Sequence, residues 1–372
     1  MLLILYCLSV HLLQSASSSS PVPDTFEKYF ISGASKRGAA SWLVGAYEGS
    51  LPPAQRRVVA VAPQVFSAVN MGVTIPRIYQ SLGNWTFALE DYWVQNVTDT
   101  IGTPDMDYLM SVVDPVTYFE ELKRMNVLAI SATGDEFFFL DDDLAFWTQL
   151  EEGGRAHRLM LPSCEHTLAT RAVELVAAVA GYMTAIFTSQ NLPHFTWQLS
   201  QNTLTAAVPG ATPPSAARMF GIKTAKTSPQ RRDFRMIRAI KPWAPCTAPG
   251  IAMDDDHCIV PYIWSEHKIK PVAVVPTAAL AKYLGSNDMS NYDLDFSGVN
   301  TGYKAGANDT LVYSHSLEPP ADGTYLAFFF EFQFPVGTTG QTLAFTTQVR
   351  VVPDTLPFPP CGKGSECHHD LV

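Results

Sequence analysis

The sequence predicts an α/β fold: a mainly parallel sheet covered by helices, followed by a β-rich unit. Between residues 26 and 188, apolar runs of strand length alternate with segments of helical period, the pattern of a parallel sheet with both faces covered. From about Leu192 helical period gives way to short strands punctuated by Pro, Gly, Thr and Asn. The chain can also fill a large core, since 47% of its 372 residues are apolar and 16% are charged, which is enough material for two domains.

Residues 1–13 are apolar, contain no Asp, Glu, Lys or Arg, and lead into Ser15-Ala16-Ser17 and a serine tract. That is the grammar of a secretory signal, and the run is short for a membrane span. Residues 1–20 are therefore expected to be a signal peptide and the protein to be secreted into the extracellular space. Nothing later reads as a transmembrane segment.

The run 26–32 reads as a strand that stops at a tight turn. A helix follows, with Trp42, Leu43, Ala46 and Tyr47 at helical spacing. Residues 58–61, closed by Pro63, read as a second parallel strand. The stretch 70–118 is rich in aromatics, Gly and Pro and has no clean period. It is expected to be a helical insertion roofing a pocket, with most of its aromatics serving as core. Residues 127–133 form a buried strand ended by Gly134-Asp135, 146–150 a helix, 158–161 a strand, and 167–188 a long apolar helix. The expected boundary lies at 189–193. It separates a sheet domain, 21–190, from a C-terminal domain, 191–372, with antiparallel, sandwich-like strands at 196–199, 204–208, 325–334 and 343–352.

A net charge of −10 argues against nucleic acid or anionic lipid as partners, since both need clustered Lys and Arg. Of the six cysteines, Cys7 lies in the signal, leaving Cys164, Cys246, Cys258, Cys361 and Cys367. In an oxidising compartment the economical short-loop pairs are Cys246 with Cys258 and Cys361 with Cys367. Cys164 would stay free, although spacing alone leaves the connectivity open. His257, His267, His368 and His369 match no standard zinc spacing, so no metal is expected. Phosphate loops and metal triads are lacking in the sequence, so no cofactor is expected either. Sequons at Asn84, Asn96 and Asn308 are expected glycosylation sites of a secreted protein.

The first strand joins its helix through Gly33-Ala34-Ser35-Lys36-Arg37-Gly38. A serine on a sharp strand-to-helix turn is held exposed and strained, beside backbone donors of the helix N-terminus. Ser35 is therefore the candidate nucleophile; the alternative is a plain helix cap. Arg37 stands where a lipase-type elbow has its second glycine, which comes here one residue later as Gly38. Asp135 follows the strand 127–133, and His166 follows the strand 158–161 in the loop Pro162-Ser163-Cys164-Glu165-His166. An α/β-hydrolase carries Ser, Asp and His in this order, with the acid after a late strand and the histidine after the last. His166 would take the proton of Ser35, and Asp135 would fix the tautomer and stabilise the imidazolium. Glu136 and Asp141-Asp142-Asp143 are fallback acids, otherwise expected to cap the helix before Leu144.

The string Phe30-Ile31-Ser32-Gly33-Ala34-Ser35-Lys36-Arg37-Gly38 resembles the nucleophile segment of the PhoPQ-activated pathogenicity-related family, which also includes autocrine proliferation repressor proteins. Asp114-Pro115 with Tyr118, Ala132-Thr133-Gly134-Asp135-Glu136-Phe137-Phe138, Glu165-His166, Arg232-Asp233-Phe234-Arg235 and Phe345-Thr346-Thr347-Gln348-Val349 resemble the family in the same order, so the likeness covers 26–372. It implies a hydrolase-like domain followed by a β-rich domain, with Ser35, Asp135 and His166 in the triad positions. Members carry a long region before the nucleophile segment, whereas here only the signal-like stretch precedes Phe26. The expectation is a partial α/β-hydrolase-like sheet whose N-terminal strands are missing, with the strand 26–32 as an exposed apolar edge. The oxyanion hole would keep the backbone N–H of Lys36 and lack the donor of the missing loop. Losing one donor costs on the order of a hundredfold in rate; the side chain of Lys36 or Arg37 is a candidate substitute, the equal alternative for each being a solvated or structural charge.

The function these observations imply is a secreted serine hydrolase acting on an ester or amide of a small molecule or peptide, through an acyl-enzyme at Ser35. The alternatives are a non-catalytic secreted signalling or binding protein with a cell-surface receptor as partner, and an inactive truncated product.

Overall fold

The computed structural model describes residues 27–241, 245–247, 250–277, 306–336 and 341–372. The expected signal peptide, Cys7 and Phe26 lie outside the described residues. Four apolar segments, β1 (Tyr29–Ala34), β2 (Val58–Gln64), β3 (Asn126–Ala132) and β4 (Ala156–Leu161), pair in parallel in the order β1-β2-β3-β4. Parallel neighbours need crossover connections. These are α1 (Lys36–Ser50) after β1; α2 (Met71–Leu82), α3 (Glu90–Trp93), α4 (Pro104–Val113) and α5 (Phe119–Leu122) after β2; and α6 (Trp147–Glu151) after β3. Helix α7 (Ala172–Phe187) follows β4.

The α1 helix packs through small residues. An added Cβ on Gly45 would lie 3.1 Å from Val61 and Leu122, and one on Gly49 would lie 2.1 Å from the Glu121 carbonyl oxygen. Trp42 and Ala46 are buried on this face, but Tyr47, expected on the apolar stripe, is 66% exposed. The glycine face, which carries no hydrophobic signal, decides the orientation. At the edge of the sheet, β1 buries Phe30 toward one face and Ile31 toward the other. Among the described residues β1 is thus an edge strand, as expected, with these two apolar side chains covered on its faces.

Among the described residues twelve strands follow: β5 (Thr196–Ser200), β6 (Thr203–Pro209), β7 (Ala216–Lys223), β8 (Ile237–Ala239), β9 (Ile251–Ala252), β10 (His257–Ile259), β11 (Ser265–Lys268), β12 (Ala273–Pro276), β13 (Asp309–Ser316), β14 (Leu326–Val336), β15 (Gln341–Thr346) and β16 (Arg350–Val352). They form three antiparallel sheets, β12-β13-β6-β5, β8-β10-β9 and β11-β7-β14-β15, with β16 also on β14. Phe328, Phe330 and Phe332 of β14 join one core cluster and Phe329 joins another, so this strand is buried on both faces and reads as a continuous apolar run. The strand expected over 343–352 is broken. At the break the Thr347 N–H donates to the Phe330 carbonyl (2.9 Å), and the Phe330 N–H donates to Thr347 Oγ1 (3.0 Å).

The first of those clusters also takes in Ala62, Leu128, Ile130 and Leu159 of the parallel sheet and Tyr182 of α7, so one core runs from the parallel strands into the antiparallel ones. The helical stretch Ala169–Phe187 is long and apolar enough to cross a membrane by length and composition. In this fold it carries Arg171 and Glu174 and packs against β15 and β2.

The insertion is helical, as expected, and one carboxylate ties its two ends. Asp114 accepts from the N–H groups of Asn70 (2.9 Å), Met71 (2.5 Å) and Val116 (3.1 Å). The C-terminal segment packs against the insertion. Trp85 Nε1 donates to the Cys367 carbonyl (2.7 Å), the Val372 N–H donates to the Trp85 carbonyl (2.7 Å), and Trp93 Nε1 donates to the His369 carbonyl (2.7 Å). Disulfides join Cys246 to Cys258 and Cys361 to Cys367, and Cys164 is free and buried. Both short-loop pairs are those expected.

Candidate active site

The turn after β1 places Ser35 at φ 56° and ψ −127°, a conformation that residues with a Cβ adopt only under strain. The surroundings hold it there. The Ser35 N–H donates to the Gln64 carbonyl at the end of β2 (3.0 Å), and the Ser35 carbonyl accepts from the N–H groups of Gly38 (2.6 Å) and Ala39 (3.2 Å). The two glycines are both required. An added Cβ on Gly33 would meet the Arg37 carbonyl oxygen at 2.6 Å, and one on Gly38 would meet the Gln64 carbonyl oxygen at 2.6 Å. The displaced second glycine therefore still serves close packing of helix on strand. Ser35 makes no side-chain cap hydrogen bond to the helix it precedes, which removes the plain capping alternative.

Asp135 and His166 come from the loops after β3 and β4. These loops are bound together: the Gly134 N–H donates to the Cys164 carbonyl (2.8 Å) and the Ser163 N–H to Thr133 Oγ1 (2.9 Å). A Cβ on Gly134 would fall 2.3 Å from Met236 Cγ. His166 Nδ1 lies 2.9 Å from both carboxylate oxygens of Asp135, which also accepts from the N–H groups of Phe137 (2.8 Å) and Phe138 (3.1 Å). His166 Nε2 is buried and has no hydrogen-bond partner. Burial works against charging the ring, but the hydrogen bond and charge of Asp135, with the charge of Glu136, outweigh it and raise the His166 pKa above its usual value.

Glu136 accepts from the His166 N–H (3.1 Å). Burial first, then repulsion from Asp135, pushes its pKa up to about 7. The acidic run is not a cap. Asp141 accepts two hydrogen bonds from Arg232 (3.0 and 2.6 Å) and one from Arg77 (2.9 Å), Asp143 pairs with Arg158 (2.6 Å), and Asp142 accepts from the Phe139 N–H (2.7 Å). Carboxylates this deeply buried need partners; distant arginines supply them for Asp141 and Asp143, whereas burial and the neighbouring Asp141 charge push the Asp142 pKa well above its ordinary value.

Ser35 and Lys36 border a cavity of about 240 Å³. Phe66, Met71, Ile75, Leu89, Phe137 and Phe138 are among its walls. Phe137 and Phe138 also lie against the His166 ring, with centroids 4.4 and 5.8 Å away, while His166 itself does not line the cavity. The structure thus joins Asp135 to His166 directly and relates both to Ser35 through the two phenylalanines. As the first residue of α1, Lys36 presents an N–H with no acceptor inside the helix. Its Nζ sits 5.6 Å from the Tyr92 ring centroid. The insertion does contribute walls of the pocket, including Tyr92 and Met106. The role of Phe137-Phe138 was not read from the sequence, although both belong to the motif that supplied Asp135.

Among the sequon asparagines, Asn96 and Asn308 are exposed and Asn84 is half-buried. Thr86, the hydroxyl residue of the Asn84 sequon, is fully buried and donates to the Glu136 carbonyl (2.7 Å).

Two comparisons bear on the whole arrangement. The sequence pattern described as PhoPQ-activated pathogenicity-related protein matches residues 11–235. The chain is also 29% identical to autocrine proliferation repressor protein A of Dictyostelium discoideum over 352 residues, which is 92% of this chain and 59% of that protein. It therefore spans less than two thirds of the relative's length. Because the family match extends over more than half of the sequence and includes Ser35, Asp135 and His166, the chain belongs to the PhoPQ-activated pathogenicity-related protein family.

Proposed function

We propose that this chain is a secreted serine hydrolase of α/β-hydrolase type, acting on an ester or amide through Ser35, His166 and Asp135. The observation that carries the reading is the Asp135–His166 pair (2.9 Å) with Nε2 left unpartnered, beside Phe137 and Phe138, which line a pocket that the strained Ser35 also borders. In this reading Nδ1–H donates to Asp135, which leaves Nε2 free to take the Ser35 proton as Oγ attacks the carbonyl. The Lys36 N–H receives the developing oxyanion. Residues 21–190 would form the catalytic unit and 191–372 the β-rich unit, with glycans on the exposed Asn96 and Asn308.

A fluorophosphonate probe tests the reading. Labelling of the wild type that disappears in a folded Ser35→Ala variant is the expected result; no labelling of a folded wild type defeats it. The second reading, a non-catalytic secreted signalling protein binding a cell-surface receptor, draws its support from the name of the Dictyostelium relative. Under that reading Ser35→Ala leaves receptor-dependent activity intact.

A further inference from the structure

We infer that the cavity beside Ser35 is an acyl-chain site. On the ratio of about 150 Å³ for the six carbons of benzene, its 240 Å³ suits an unbranched chain of about ten carbons. The inference rests on the hydrolase reading and adds the substrate class to it.

The first ground is chemical. Of the side chains on the wall, Ser35, Lys36, Asp91 and Thr98 are the polar ones, and the remainder are aliphatic, aromatic or methionine. Lys36 and Asp91 are exposed, whereas Ile78 and Trp85, also on the wall, are 2% and 0% exposed. A peptide entering such a space would bury amide groups without partners, at a cost of several kcal/mol each by transfer scales. A hydrocarbon chain gains from the same burial.

The second ground is direction. The leaving alcohol must depart where His166 can give it a proton, and His166, whose ring touches Phe137 and Phe138 of the wall, does not itself line the cavity. The leaving group therefore lies on the histidine side, and the acyl group points into the cavity. In the step, Ser35 Oγ bonds to the acyl carbon, the carbon–oxygen bond to the alcohol breaks, and the alcohol leaves with the proton that His166 took from Ser35. Water repeats the sequence and releases the free carboxylic acid.

The third ground is a fixed end. Trp85 is held by its Nε1 bond to the Cys367 carbonyl (2.7 Å) and by backbone bonds to Asp370 and Val372, which gives the site a length limit.

The test is calorimetric titration of full-length Ser35→Ala with straight-chain methyl esters of increasing length. Affinity is expected to rise about fourfold per methylene, from the burial of one CH₂, and to level off near ten carbons. Adding Ala88→Phe, which fills the cavity from a half-buried wall position, should move the break to shorter chains, and adding Met106→Ala should move it to longer ones. A flat profile, or a break that moves in neither variant, overturns the assignment. Fluorophosphonate labelling of wild type is run alongside. Labelling with a flat profile sinks only the chain site, whereas a chain-length break without labelling supports the site and sinks the hydrolase reading.

Discussion

Asp135 does two things with one carboxylate. It accepts from the N–H groups of Phe137 and Phe138, which fixes its own position, and it holds the Nδ1 edge of His166. In the hydrolase reading, Asp135→Asn should cost about 10³–10⁴ in kcat on any ester the wild type cleaves, without unfolding the protein. The pH profile is a sharper check. His166 must be unprotonated at Nε2 to act, and its raised pKa places the acid limb of kcat/KM above the ordinary histidine value of 6.5. Removing the Asp135 charge should move that limb toward lower pH. The same shift has a stability side: because the folded pKa is raised, the stabilisation is complete below 6.5 and is lost as pH rises through the folded value. A melting series across that window on wild type and Asp135→Asn checks the sign.

The elements owe their positions to close approaches that tolerate no side chain. At Gly38 an added Cβ would lie 2.6 Å from a backbone oxygen and 2.9 Å from Phe66 Cβ, and backbone cannot yield as a flexible side chain can. Gly38→Ala is expected to destabilise by about 1–3 kcal/mol and to displace the start of α1, so that any fluorophosphonate labelling of Ser35 falls more than the melting temperature alone would suggest. Another test concerns the C-terminal segment. The Cys361–Cys367 bridge closes a short loop whose loss should cost about 2 kcal/mol by chain entropy. Its opening also loosens the Cys367 carbonyl that holds Trp85. A Cys361→Ser, Cys367→Ser double variant should therefore melt earlier.

Across the whole molecule, Asp141 binds three parts of the chain into one: the loop after β3, the insertion through Arg77, and the segment before β8 through Arg232. Burial alone would raise its pKa, but the two guanidinium charges override this and hold it at about 2, against an ordinary 3.8. With the folded pKa depressed, the stabilisation is present above about 3.8 and disappears as pH falls to about 2, a loss of about 2 kcal/mol. Asp141→Asn should flatten that part of the acid unfolding curve and lower stability at neutral pH by about 3–5 kcal/mol, because two arginines are left without their shared partner. The sequence by itself determined the alternation of strand and helix up to α7, the change to antiparallel strands, the turn at Ser35, the economical short-loop cysteine pairs, and the placing of Asp135 and His166 in loops after successive strands. Each of these is written locally, in a period of two or 3.6, in small residues at a turn, or in a short spacing. Tertiary structure alone decided that Asp141 and Asp143 are ion-pair partners, that Tyr47 faces outward, that Thr347 interrupts a strand, how the cysteines connect, and that Phe137 and Phe138 join the His166 ring to the cavity wall. Those outcomes depend on which distant groups are brought together and which are cut off from water, and no local pattern in the chain records that.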